Sequence, residues 1–166
     1  MSEEEKRSLE SNLWAVANVL RGKMNADEYK NYILGFIFFK YLSERLERYI
    51  NDKLLAREDF KFSSIKESSK DGKKYIEHIK KGCIEDLGYF LKPTELFSYI
   101  VKKGKGEIKD QNNFIVENVK HVLDNIEKTS LGTDSEDDFK GLFADVDLTS
   151  SKLGSRENQK NETLIE

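Results

Sequence analysis

The stretch from Asn25 to Ile50, NADEYKNYILGFIFFKYLSERLERYI, limits the possible folds more than any other part of the chain. Asn25 can cap a helix, and Glu28 stands three positions on, where its carboxylate can reach back in a capping box. Tyr32, Ile33, Leu34, Phe36, Ile37, Phe38, Phe39, Tyr41 and Leu42 then form the densest apolar run. At helical spacing they cover nearly the whole circumference, which predicts a helix buried on most sides with Phe36, Phe38 and Phe39 in the core. Beyond Leu42 the pattern narrows to Leu46, Tyr49 and Ile50, with Glu44, Arg45, Glu47 and Arg48 facing water. The expected fold is all-α: a bundle of five to six helices around this central one, with at most a short β-ribbon.

The 166 residues suffice for one domain with a real core. Pro93 is the only proline, which suits long helices. The net charge of −3 excludes bulk polycation behaviour, so any nucleic-acid contact must come from a local patch. Cys83 stands alone, so no internal disulfide can form, and a reducing cytoplasm fits. The apolar run from Tyr32 is interrupted at Lys40, well short of the roughly 20 residues a bilayer needs. The start, MSEEEKRS, is acidic and does not read as a signal peptide.

Ahead of the central helix, Leu9, Leu13, Val16 and Leu20 make a one-sided stripe ended by Gly22, which predicts a first helix paired with the central one through a tight turn. The central helix is expected to run on through Leu54 and Leu55. Residues 61–74 read as a polar loop, against a short extended piece over Phe60–Ile65. A third helix carries Ile76, Ile79, Cys83 and Leu87 and ends at Gly88; Tyr89–Leu91 form an extended link. Pro93 or Thr94 starts a fourth, with Leu96, Phe97, Ile100 and Val101 inward and Gly104 at its end. Asn112 or Asn113 caps a fifth, with Val116, Val119, Leu123 and Ile126 inward. Phe139, Leu142 and Phe143 suggest one short helix laid on the core, and the chain from Ser150 to Glu166 has little apolar periodicity.

Signs of catalytic chemistry are few. Gly104-Lys105-Gly106 follows a predicted helix, whereas a cofactor-cradling glycine turn follows a strand, so it reads as a helix-ending turn. His78 and His121 have no cysteine at ligand spacing, and Cys83 lies on an inward stripe as a small core residue. The acidic residues from Asp134 to Asp147 do not follow calcium-loop spacing and read as a solvated face. Between Lys66 and Lys109, lysines outnumber acidic residues 11 to 7. Lys80 with Lys81, and Lys102, Lys103 and Lys105, could hold phosphates by charge. The competing reading is helix-end decoration, since lysines near a helix C-terminus suit its dipole.

One family matches this pattern. LWAVANVLRGKMNADEYKNYILGFIFFKYLSERLE resembles the N-terminal region of the modification (M) subunit of type I restriction–modification systems. The signature falls on Leu13, Trp14, Ala17, Leu20, Arg21, Gly22, Glu28, Tyr29, Lys30 and Phe38 through Ser43. LGYFLKPTELFS (Leu87–Ser98) and DDFKGLFADVDLTSSKLG (Asp137–Gly154) resemble later blocks of the family, in the right order.

The resemblance implies a helical domain, residues 1–154, that precedes a Rossmann-type methyltransferase domain. That catalytic domain would bind S-adenosylmethionine and methylate adenine at N6 after the base leaves the stack. Its Asn-Pro-Pro-(Tyr/Phe) motif is not in these 166 residues. The expectation is therefore a non-catalytic chain with no cofactor of its own, and residues 155–166 as a frayed or truncated linker toward that catalytic domain. The implied partners are DNA, the specificity (S) subunit, a second M subunit and the restriction (R) subunit, with no membrane. The implied role is clamping DNA through its backbone, with Lys102, Lys103 and Lys105 as candidate contacts. The alternative is an assembly module that never touches DNA, marked by an exposed apolar patch around the Trp14 helix or the acidic segment.

Overall fold

The computed structural model describes residues 26–104, 107–108 and 115–146. The cap at Asn25 and the helix around Trp14 lie outside these residues, as do the caps at Asn112 and Asn113. The described residues form five helices and no strand: α1 (Ala26–Tyr49), α2 (Lys70–Leu87), α3 (Phe97–Gly104), α4 (Ile115–Ser130) and α5 (Glu136–Phe139). The all-α expectation holds.

The 24-residue α1 is the longest element and carries the spine of the core: Phe39, Leu42, Leu46 and Ile50 are buried at steps of three, four and four. Its circumference is not buried on most sides, however. Leu34, Ile37, Phe38 and Tyr41 recur at three, one and three on the opposite side and are open to solvent, Phe38 by 44% and Tyr41 by 57%. Phe38 is therefore a surface residue, whereas Phe39 is core and packs edge-on against Phe97 with ring centroids 5.4 Å apart. An apolar run that fills every side of a helix cannot say which side the neighbours occupy, and here they occupy one.

Past Tyr49 the chain stays helical through Leu54, one residue short of the expected Leu55, but in a wide π-type turn over Ile50–Leu54, closed by Leu55 N–H donating to the Ile50 carbonyl at 2.8 Å. Beside it Asn51 Oδ1 accepts from the backbone N–H of Phe62 at 2.9 Å. That bond ties the connection to the helix it has just left. The connection is a short 3₁₀ turn, Phe62–Ser64, with Phe62 and Ile65 buried.

Helix α2 begins at Lys70, inside the stretch expected to be loop. The Ser69 hydroxyl accepts from Gly72 N–H at 3.0 Å, so this first turn is held by its cap. Residues 70–74 carry no apolar side chain, which is why periodicity missed them. At the other end Gly88 takes φ = 79°, the left-handed conformation that glycine adopts without penalty. Gly82 faces the wide turn closely: a Cβ there would lie 3.3 Å from the Leu54 methyls.

Pro93–Glu95 form a second 3₁₀ turn rather than the first turn of α3, because Leu96 is extended and α3 starts only at Phe97. Helix α4 buries Val119, Val122, Leu123 and Ile126. Helix α5 and the turns after it lay Phe139 and Phe143 on the core, Phe139 against the Tyr89 ring at 5.2 Å.

Candidate functional site

Segments from three separate stretches of the sequence meet on one face of α1. The buried Tyr89 hydroxyl donates to the Leu42 carbonyl at 2.8 Å. The Ser43 hydroxyl, also buried, accepts from Phe97 N–H at 2.9 Å. Gly35, buried on the same side of α1, meets Val146. Three segments far apart in sequence, around Leu42, Tyr89–Phe97 and Val146, are thus locked by two hydrogen bonds and one close approach.

Beside this junction lies a polar knot. Glu95, 6% exposed, accepts from Lys92 N–H at 2.8 Å and from Asn125 Nδ2 at 3.0 Å. Thr129 Oγ1 accepts from Phe90 N–H and donates to the Asn125 carbonyl. These bonds satisfy the backbone of the extended Tyr89–Lys92 link, which has no helix to do so. The knot fastens α4 to the link.

Nucleophilic and metal chemistry find little here. Cys83 is fully buried, and burial pushes its thiol up to about 12, so it stays protonated and inert. His78 and His121 are exposed; His121 Nδ1 lies 3.8 Å from a Glu95 oxygen. Among the described residues no group of three or more His, Cys, Asp or Glu could hold a metal ion. Of the acidic segment, Asp134, Asp137, Asp138 and Asp145 are exposed, and Glu136 accepts from Gly132 N–H in a local turn. Tyr49 donates to Asp86 across α1 and α2.

Of the three lysines singled out, Lys102 is exposed in the last turn of α3, Lys103 is turned inward at 7% exposure, and Lys105 lies outside the described residues. Lys102 and Lys103 therefore do not share one open surface. Lys80 and Lys81 are exposed on α2, and the early start of that helix adds Lys70, Lys73 and Lys74 to it. The cap Ser69 followed by Asp71 was the signal that could have placed them on a helix. The exposed α1 stripe was also missed, because the sequence pattern assigned it to the core.

Among the described residues no helix is long and apolar enough to cross a membrane. Within the described residues the body is all-helical, and most of its ionisable groups lie at caps, local turns or the open surface. The chain belongs to the family of HsdM N-terminal domains, whose model matches residues 9–166. It is 34% identical over 166 residues to the type I restriction enzyme MpnII methylase subunit of Mycoplasma pneumoniae, covering 98% of this chain and 30% of that protein. In structure it resembles the methyltransferase subunit of a type I restriction–modification system from Streptococcus thermophilus, with a TM-score of 0.68 at 25% identity, over 96% of this chain and 32% of that one. The chain thus spans about a third of the length of these relatives.

Proposed function

We propose that this domain is the non-catalytic DNA-clamping and assembly part of a type I restriction–modification N6-adenine DNA methyltransferase. In this reading it works in the cytoplasm and binds no cofactor. S-adenosylmethionine belongs to a separate catalytic domain. Its partners are DNA, the S subunit, a second M subunit and, for cleavage, the R subunit.

The observation that carries the reading is the presence, on one helical body, of two kinds of open surface. The row Leu34, Ile37, Phe38 and Tyr41 offers a protein partner a contiguous apolar face. Lys102, with Lys80 and Lys81, offers cations to phosphate. Binding of a duplex to the purified chain at low and at raised salt tests the DNA half. Weak, salt-sensitive and sequence-independent binding is expected, and no binding at low salt sinks direct contact. Incubation with labelled cofactor and DNA is expected to give no methyl transfer; transfer by this chain alone would overturn the non-catalytic assignment.

The α1 stripe also favours a second reading, an assembly module holding the M subunit to its partners without touching DNA. Reversing Lys102 to Glu in the assembled enzyme separates the two. Unchanged DNA affinity favours assembly alone, and a loss favours the clamp.

A further inference from the structure

Helix α2 carries five exposed lysines, Lys70, Lys73, Lys74, Lys80 and Lys81. At about 100° per residue they fall within an arc of about 120°, as two rows, Lys73–Lys80 and Lys74–Lys81, with Lys70 between them. Glu77 is the only acidic residue inside this arc; Glu85 lies just beyond its edge. No ion pair among the described residues involves any of the five. The face is about 16 Å long at 1.5 Å per residue, against roughly 3.4 Å of duplex axis per phosphate of one strand.

Lysines at a helix C-terminus need no explanation beyond the dipole, and that accounts for Lys102 in the last turn of α3. It does not account for α2. Its last turn holds no basic residue, while Lys70, Lys73 and Lys74 crowd its N-terminal end, where the dipole opposes positive charge. The cap at Ser69 and the core contacts of Ile79 and Cys83 hold the helix without them. Among the described residues no carboxylate forms an ion pair with them there.

The geometry points to the lysine face of α2 as the surface that lies along the phosphate backbone of duplex DNA. This deepens the clamp reading and rests on it, moving the main contact from the end of α3 to the length of α2. The contact is made to phosphates and carries no sequence preference.

The test is fluorescence anisotropy of the 166-residue chain with a labelled duplex of random sequence, from about 50 to 200 mM salt. The wild type is compared with Lys73→Gln/Lys80→Gln, with Lys74→Gln/Lys81→Gln, and with Lys128→Gln/Lys140→Gln as a charge-matched control on other exposed lysines. Each α2 pair is expected to bind at least tenfold more weakly at low salt. Its slope of log K against log salt should be shallower by about 1.8, two contacts at about 0.9 each. The control pair should keep the wild-type slope. Circular dichroism checks that all variants remain folded. Wild-type binding with unchanged slopes in both α2 pairs overturns this inference and leaves the clamp reading standing, even if those pairs lose a protein partner. An equal loss in the control pair overturns it too, as an effect of bulk charge. No wild-type binding at low salt removes both.

Discussion

Gly35 sits where the side chain of Val146 arrives: a Cβ at Gly35 would lie 2.6 Å from Val146 Cγ2. The two residues are 111 positions apart, and their approach seats the segment after α5 on the buried side of α1. Two effects oppose each other when Gly35 becomes alanine. Helix propensity favours alanine by about 1 kcal/mol, whereas overpacking a close contact costs about 1–3 kcal/mol. Gly35→Ala is therefore expected to destabilise the domain by about 1 kcal/mol. In a Val146→Ala background the same change should become stabilising by about 0.5–1 kcal/mol. Urea denaturation of the four proteins measures this, and an equal effect in both backgrounds would remove the steric argument.

Glu95 is the buried acceptor on which Lys92 N–H and Asn125 Nδ2 both depend. Glu95→Ala leaves the Lys92 N–H without its acceptor and Asn125 Nδ2 with only a 3.4 Å bond to the Phe90 carbonyl, each loss costing about 1–3 kcal/mol. A loss of about 3 kcal/mol is expected, large against total stabilities of roughly 5–15 kcal/mol. Thermal melting gives the answer; a shift of no more than a degree or two would mean that water replaces the carboxylate.

The alkaline limit of the fold follows from its phenols and thiol. Burial, and then the hydrogen bond and negative charge of Asp86, push Tyr49 up to about 12. Burial lifts Tyr89 and Cys83 in the same direction. Folded values above the unfolded ones mean that the native state holds these protons more tightly. Their contribution is complete below the unfolded values and is lost as pH rises through the folded ones. Stability should thus fall between about pH 9 and 12. Tyr49→Phe should flatten that fall and cost about 0.5–1.5 kcal/mol at neutral pH. Phenolate absorbance with parallel denaturation reads both, and a fall of unchanged steepness would exclude Tyr49 as a contributor.

The α1 stripe makes a prediction of the opposite kind. Phe38 and Tyr41 keep 44% and 57% of their surface open in the folded domain, so Phe38→Glu with Tyr41→Glu should cost its own stability no more than about 1 kcal/mol per site. Association with the other subunits should weaken instead, as seen by gel filtration of the mixed proteins. A variant that unfolds, or that assembles normally, removes the stripe as a partner surface.

Most of the architecture is legible in the residues because burial and periodicity coincide. Val119, Leu123 and Ile126, or Ile79 and Cys83, lie at helical spacing among polar neighbours and are buried in the fold. Legibility fails where that coupling fails. Lys70–Lys74 are helical through a hydroxyl cap, with no apolar side chain to report it. Phe38 belongs to a run so uniformly apolar that the sequence contains no contrast between its two sides. The lysines of the candidate site show a third case. Their charge is visible in the sequence, but whether each ends in water or inside depends on the local turn, as adjacent Lys102 and Lys103 demonstrate.

The wide turn at Ile50–Leu54 holds one residue more per hydrogen-bonded ring than the α-helix before it. It therefore acts as a slack point in register. A one-residue deletion there would tighten the turn to α-helical bonding, leaving the spine from Phe39 to Leu46 in place and rotating the residues of the turn itself by up to about 100°. Leu54 would leave Gly82, and Asn51 would leave the Phe62 amide. That would cost contacts to α2 and to the connection, while Ile79 and Cys83 keep α2, and with it the lysine face, seated on the same core.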